Sequence, residues 1–193
     1  IEEIEGRSQG NETLVREVNA ALERARIAAG LRAMEGTGVV LQLQDSATQP
    51  QPGDNQSDYL VSALDLRTTV EQLWLAGAEA IAVNGERIVS ATAILDIGGT
   101  ILVNSAYLAP PYQIAAIGPA DLYERLSKRA EFRALVRDRA EAFGIQISFA
   151  ELDDVQVAAY AGIVNLRYAR PVPSATPAPS GSATPRATDG TTT

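Results

Sequence analysis

The chain contains no cysteine and no histidine among its 193 residues. The first absence removes thiol nucleophiles and thiolate metal sites, and the second removes the commonest general base at neutral pH. A domain with no metal, no cofactor and no catalytic activity is the expectation that follows. Zero cysteine suits an exported domain as well as a cytosolic one, so it assigns no compartment. There is also no run of about eighteen apolar residues, the length a membrane-spanning helix needs. A cationic stripe is missing too. The formal charge is −8, and Lys128, Arg129, Arg133, Arg137 and Arg139 alternate with Glu124, Glu131, Asp138 and Glu141. Opposite charges three or four residues apart describe a solvated helix face, whereas nucleic acid needs uninterrupted positive charge to displace its counterions. The carboxylates of Asp45, Asp153 and Asp154 lack the spacing of a calcium loop. Gly36-Thr37-Gly38 precedes a strand instead of opening a helix, so it reads as a turn and not as a phosphate cradle.

What is present suits one folded domain with accessory segments, since 46% of the residues are hydrophobic. Residues 12–33 are helix-forming, and Val15, Val18, Leu22, Ala25 and Ala29 follow alternating steps of three and four that place them on one stripe. Two readings fit: the end of a coiled-coil stalk, or an amphipathic helix docked on the domain. Val39 to Leu43 reads as a strand, and a polar loop with Pro50, Pro52 and Gly53 follows it. Asp58 is the expected N-cap of a helix whose apolar face includes Leu60, Ala63, Leu64, Val70, Leu73 and Trp74, with Trp74 as a core anchor. Gly77 ends that helix, where a positive φ is needed. Ala80 to Val83 is a short strand, and Asn84-Gly85 signals a tight hairpin turn.

Residues 87–92 and 100–108 read as further short strands with a Gly98-Gly99 turn, and Tyr112 to Ile117 as another. A second helical region over residues 120–143 is broken near residues 129–131 and capped by Gly144. Strands are expected at 145–149, 155–160 and 163–168. From Pro171 onward the Pro/Thr/Ser-rich sequence has nothing large and apolar to bury and is expected to be disordered. The expected organisation is therefore residues 1–35 as the N-terminal helix, 36–168 as the domain and 169–193 as a tail.

With the insertion at residues 86–108 set aside, the order is strand, helix, strand, strand, helix, strand. That order predicts an α+β fold of the ferredoxin-like type, a two-layer βαββαβ plait carrying an inserted β-hairpin region. Its central strands would be Val39 to Leu41 and Ile114 to Ile117, the runs apolar enough for that position.

Several of these segments carry a family resemblance. The string from Leu73 to Arg87, the opening strand from Gly36 to Leu43, Asp65-Leu66-Arg67 with Val70, the run Ile101 to Asn104 and the run Pro110 to Gly118 recur in one order over residues 25–160. In this they resemble the bacterial domain of unknown function family 881, which includes YlxW-like division initiation proteins. The resemblance implies the same plait and a setting on the extracytoplasmic side of the bacterial membrane, behind an N-terminal anchor and coiled coil. It implies protein partners of the envelope or the division machinery. Residues 58–65 depart from the closely spaced acids of the family's helix start, which leaves a ligand role for those acids unsupported.

The candidate binding residues are Asn84, Arg87, Asn104 and Tyr112, each at or beside a strand end. A guanidinium beside a hairpin can fork onto a carboxylate or phosphate outside the chain. The competing reading is an internal ion pair from Arg87 to Glu79 or Asp45. Turn formation explains Asn84 and Asn104 without any ligand. Two functions remain: a scaffold acting by protein contact, with a homodimer through the N-terminal helix, or a module sensing a small anionic metabolite or wall fragment.

Overall fold

A computed structural model of the protein describes residues 2–162, with side chains from residue 12 onward. The expected strand at 163–168 and the Pro-rich tail lie outside the described residues.

The fold is α+β. Helix α1 (Glu2–Ala28) leads into strand β1 (Met34–Gln44). A 3-10 turn (Gln56–Tyr59), α2 (Ala63–Ala76), β2 (Ala80–Val83) and β3 (Glu86–Arg87) follow. Strands β4 (Ile94–Ile97), β5 (Thr100–Val103) and β6 (Ala106–Leu108) form a separate antiparallel sheet. The chain then makes β7 (Tyr112–Ile117), α3 (Leu122–Ser127), α4 (Ala130–Leu135), a π-helical turn (Val136–Glu141) and β8 (Gln146–Val157).

The main sheet runs β3-β2-β7-β1-β8, and every pairing in it is antiparallel. Alternation divides its faces. Val39, Leu41 and Leu43 of β1, Ile81 and Val83 of β2, and Ile114 and Ala116 of β7 join Leu66, Val70 and Leu73 of α2 and Leu122 and Leu126 of α3 in one buried cluster. The opposite face carries Ala80, Ala82, Ile117, Val155 and Val157. Among the described residues nothing pairs with the outer edge of β8, where Phe149 and Leu152 remain exposed.

Several sequence expectations need correction. The N-cap of α2 is Ser62, not Asp58: Ser62 and Asp65 form a reciprocal capping box, so two otherwise orphaned N–H groups are satisfied. Asp58 sits in the 3-10 turn, which Asn55 caps. Gly36-Thr37-Gly38 is no turn but lies within β1, at a register shift against β8. The strands expected at 145–149 and 155–160 are one continuous β8, because pairing with β1 carries on past that shift. The insertion is a three-stranded sheet, with Gly98-Gly99 turning between β4 and β5.

Trp74 is 38% exposed and no core anchor, since Leu66, Thr69, Val70, Leu73 and Ala76 take the buried side of α2. The expected helical break falls at Arg129, whose extended backbone separates α3 from α4. Gly77 and Gly144 both have positive φ as helix-ending residues, at 106° and 77°.

Candidate functional site at the foot of α1

The turn between β2 and β3 forms because Asn84 and Gly85 both adopt positive φ, 46° and 85°. The Asn84 side chain is then used internally: Oδ1 accepts from Gln113 N–H at 2.6 Å and Nδ2 donates to the Pro111 carbonyl at 3.3 Å. Asn84 therefore pins the hairpin to the start of β7.

Arg87 lies opposite Ala82, which directs its side chain to the sheet face away from α2. It is only 5% exposed. Nη1 donates to the carbonyls of Arg32, at 3.3 Å, and Ala158, at 3.2 Å. One guanidinium thus ties β3 to the link between α1 and β1 and to the segment after β8. Nε is buried with no hydrogen-bond partner among the described residues. No carboxylate of the described residues lies within ion-pair distance, neither Glu79 nor Asp45 included. Asp45 is instead occupied by the Val61 N–H at 2.7 Å. Burial alone draws the Arg87 pKa below its ordinary value.

Asn104, at φ 55°, turns β5 into β6 and donates through Nδ2 to Glu86 Oε2 and to the Arg87 carbonyl, both at 3.1 Å. Its Oδ1 is buried without a partner among the described residues. The small sheet is thereby latched to β3. Tyr112 points the other way, into the core opposite Leu43. Burial first, then Asp45 and Asp96, raise its pKa above the ordinary phenol value.

A raised folded-state pKa means that the fold favours the protonated phenol. Stability is therefore full below about pH 10 and falls as pH climbs towards the folded value. Thermal unfolding from about pH 9 to about pH 11.5 is expected to show Tyr112→Phe losing less stability than the parent chain.

The four candidate residues do not converge on one cavity. Arg87 and Asn104 meet through the Arg87 backbone, Asn84 braces β7, and Tyr112 faces the core. Arg87 alone of the four lines a cavity of about 560 Å³ between the last turn of α1, α2 and the segment after β3. Ile27, Met34, Trp74, Ile88 and Val89 supply its apolar walls, with Glu79 and Ser90 also lining it. Gly30, at φ 73°, closes over Arg87: a β-carbon there would lie 2.6 Å from Val89 Cγ1 and 3.6 Å from Arg87 Nε. On the other side of Trp74, Val70, Ile88, Thr92 and Ile94 help to line a second hollow of about 410 Å³.

Sequence reasoning missed the exposure of Trp74 and the part played by Gly30. No local pattern separates an exposed tryptophan on α2 from a buried one a single residue away. It also missed Arg139, which is no solvated face residue but forms a buried ion pair with Asp65 at 3.0 Å. Among the described residues, no group of three His, Cys, Asp or Glu side chains is placed to hold a metal ion. No described helix is long and apolar enough to cross a membrane.

Residues 21–170 match the family described as bacterial protein of unknown function, DUF881. The chain belongs to that family. A UPF0749 protein of Mycobacterium tuberculosis is 29% identical over 135 residues, which cover 67% of this chain and 44% of the relative. The UPF0749 protein YlxW of Bacillus subtilis is 31% identical over 100 residues, covering 52% of this chain and 43% of YlxW. The chain thus spans less than half the length of these relatives. A crystal structure of an uncharacterized conserved protein from Mycobacterium tuberculosis superposes with a TM-score of 0.60 at 25% identity, covering 79% of this chain and 99% of that one. The DUF881 match takes in the end of α1 and every strand, so the Arg87 cavity lies within the family domain.

Proposed function

We propose that this chain is a non-catalytic, self-associating contact domain of a bacterial envelope protein, with α1 as the end of a dimerising stalk. One observation carries the reading. The stripe on α1 stays in solvent, with Val15 57%, Val18 58% and Leu22 46% exposed and Ala25 and Ala29 also exposed. Isolated helices are marginal in water, so a long helix with an apolar row needs a partner surface. A second copy supplies the same row at the same spacing, and a two-fold pairing covers both at once.

The strand order β8-β1-β7-β2, with α2 and α3 contributing to one core cluster, supports a ferredoxin-like plait. The outer edge of β8 would offer its backbone N–H and C=O groups to an extended segment of a partner protein. Dimerisation would present two such edges and add avidity. Placement on the extracytoplasmic side of the membrane, behind an anchor, and work alongside division or wall-synthesis proteins rest on the family resemblance.

Sedimentation equilibrium of the 193-residue chain and of Val18→Glu/Leu22→Glu tests the self-association. The parent chain is expected to dimerise and the variant to dissociate at least about a hundredfold more readily, since two charges per helix would be buried in the seam. A parent chain that stays monomeric at every concentration contradicts the proposal.

A further inference from the structure

We infer that the cavity at the foot of α1 binds a monoanionic oxyacid with a short apolar body, held by the guanidinium of Arg87. Arg87 carries an imbalance of charge. A buried guanidinium is costly unless it is both hydrogen-bonded and paired with opposite charge. Arg87 meets the first condition in part, through the carbonyls of Arg32 and Ala158. It fails the second, because no carboxylate of the described residues forms an ion pair with it, and its Nε has no hydrogen-bond partner among them. A strap between backbone segments requires only hydrogen bonds, which an uncharged side chain could donate. The retained charge is what a strap leaves unexplained.

The surroundings define the ligand. About 560 Å³ lies within the range of small-molecule sites, about 300–1,000 Å³. Ile27, Met34, Trp74, Ile88 and Val89 give walls suited to an alkyl or flat hydrocarbon body, and the guanidinium fork matches a carboxylate or a sulfate monoester head. Glu79 on the same wall disfavours a second negative charge, which excludes polyanions. Because Ile27 to Gly30 belong to the end of α1 and the link after it, an occupant would brace the helix against the domain. The inference does not depend on whether α1 pairs with a second copy.

Trp74 is the only tryptophan of the chain and lines the cavity, so its fluorescence reports occupancy directly. The 193-residue chain is titrated with octanoate, octyl sulfate, octanol and vesicles of phosphatidylglycerol. The expected result is a saturable emission change with octanoate or octyl sulfate, and octanol at least about tenfold weaker. Ser90→Phe narrows the cavity from an exposed position and leaves the Arg87 hydrogen bonds in place. It is expected to abolish the change while thermal unfolding stays within a few degrees of the parent. Arg87→Gln, if it folds, is expected to lose the preference for the anions over octanol. Equal responses to octanoate and octanol, no saturable response, a response that persists in Ser90→Phe, or a response to vesicles alone would each overturn the inference.

Discussion

Gly38→Ala is expected to destabilise the domain by about 3 kcal/mol or more. A β-carbon at position 38 would lie 2.0 Å from the Ala116 carbonyl oxygen and 2.9 Å from both the Ala116 carbonyl carbon and Ile117 Cα. All three are backbone atoms of β7. That strand has little room to move, because it is paired with β1 on one side and β2 on the other. Flexible side chains can absorb a tight contact, but a central ladder has to part.

Overpacking typically costs about 1–3 kcal/mol, and the loss here should reach or exceed the upper figure because backbone has to shift. Against a typical total of about 5–15 kcal/mol, such a loss leaves a marginal protein. Gly36→Ala is the control. Its β-carbon would meet only Ile117 Cγ2, at 3.0 Å, and the expected cost is about 1 kcal/mol or less. Urea unfolding of the parent and both variants separates the two: the midpoint should fall steeply for Gly38→Ala and slightly for Gly36→Ala. Equal midpoints would show that β1 and β7 are not in this register.

Arg139→Met should be nearly as damaging, by about 3–5 kcal/mol, the usual cost of removing one partner of a buried ion pair. The Asp65 and Arg139 side chains are 4% and 18% exposed and meet at 3.0 Å. Arg139 also donates through Nη1 to the Asp58 carbonyl at 3.1 Å and through Nη2 to the Leu60 carbonyl at 2.7 Å. A single guanidinium therefore bolts the π-helical turn to the 3-10 turn and to the start of α2. Without it Asp65 keeps only its capping-box contacts to Ser62, its N–H and Oγ donating at 2.9 Å each. The buried carboxylate then has no counter-charge. The double variant Asp65→Asn/Arg139→Met removes both charges and should be less destabilised than the sum of the single variants. Chemical unfolding of the four proteins measures that coupling, and strictly additive losses would place the ion pair outside the folded state.

The two predictions also show where sequence reading reached its limit. Features decided by neighbours in sequence were legible. The Asn84-Gly85 turn, the Gly77 helix end and the apolar runs of β1 and β7 follow from φ preference and periodicity, and each occurs where the sequence puts it. Features decided across the chain were not. Gly38 looks like a turn glycine until β7 is placed against it. Arg139 looks like its neighbours on a charged face until α2 comes within reach, and Asp58 looks as good an N-cap as Ser62 until the capping box with Asp65 is seen. The single strand β8 looks like two in the sequence because its continuity comes from pairing with β1 rather than from its own pattern. Within the candidate site the sequence singled out Arg87. Its burial, its unbalanced charge and the cavity around it are consequences of tertiary placement.

Introduced cysteines test the pairing of α1 with α1 of a second copy, because the chain has none of its own. Val18→Cys sits on the exposed apolar row, whereas Ala20→Cys sits on the opposite side of the same helix. Under mild oxidation the account predicts rapid disulfide-linked dimers from Val18→Cys and few or none from Ala20→Cys. Equal crosslinking of the two variants, or none from either, would contradict it.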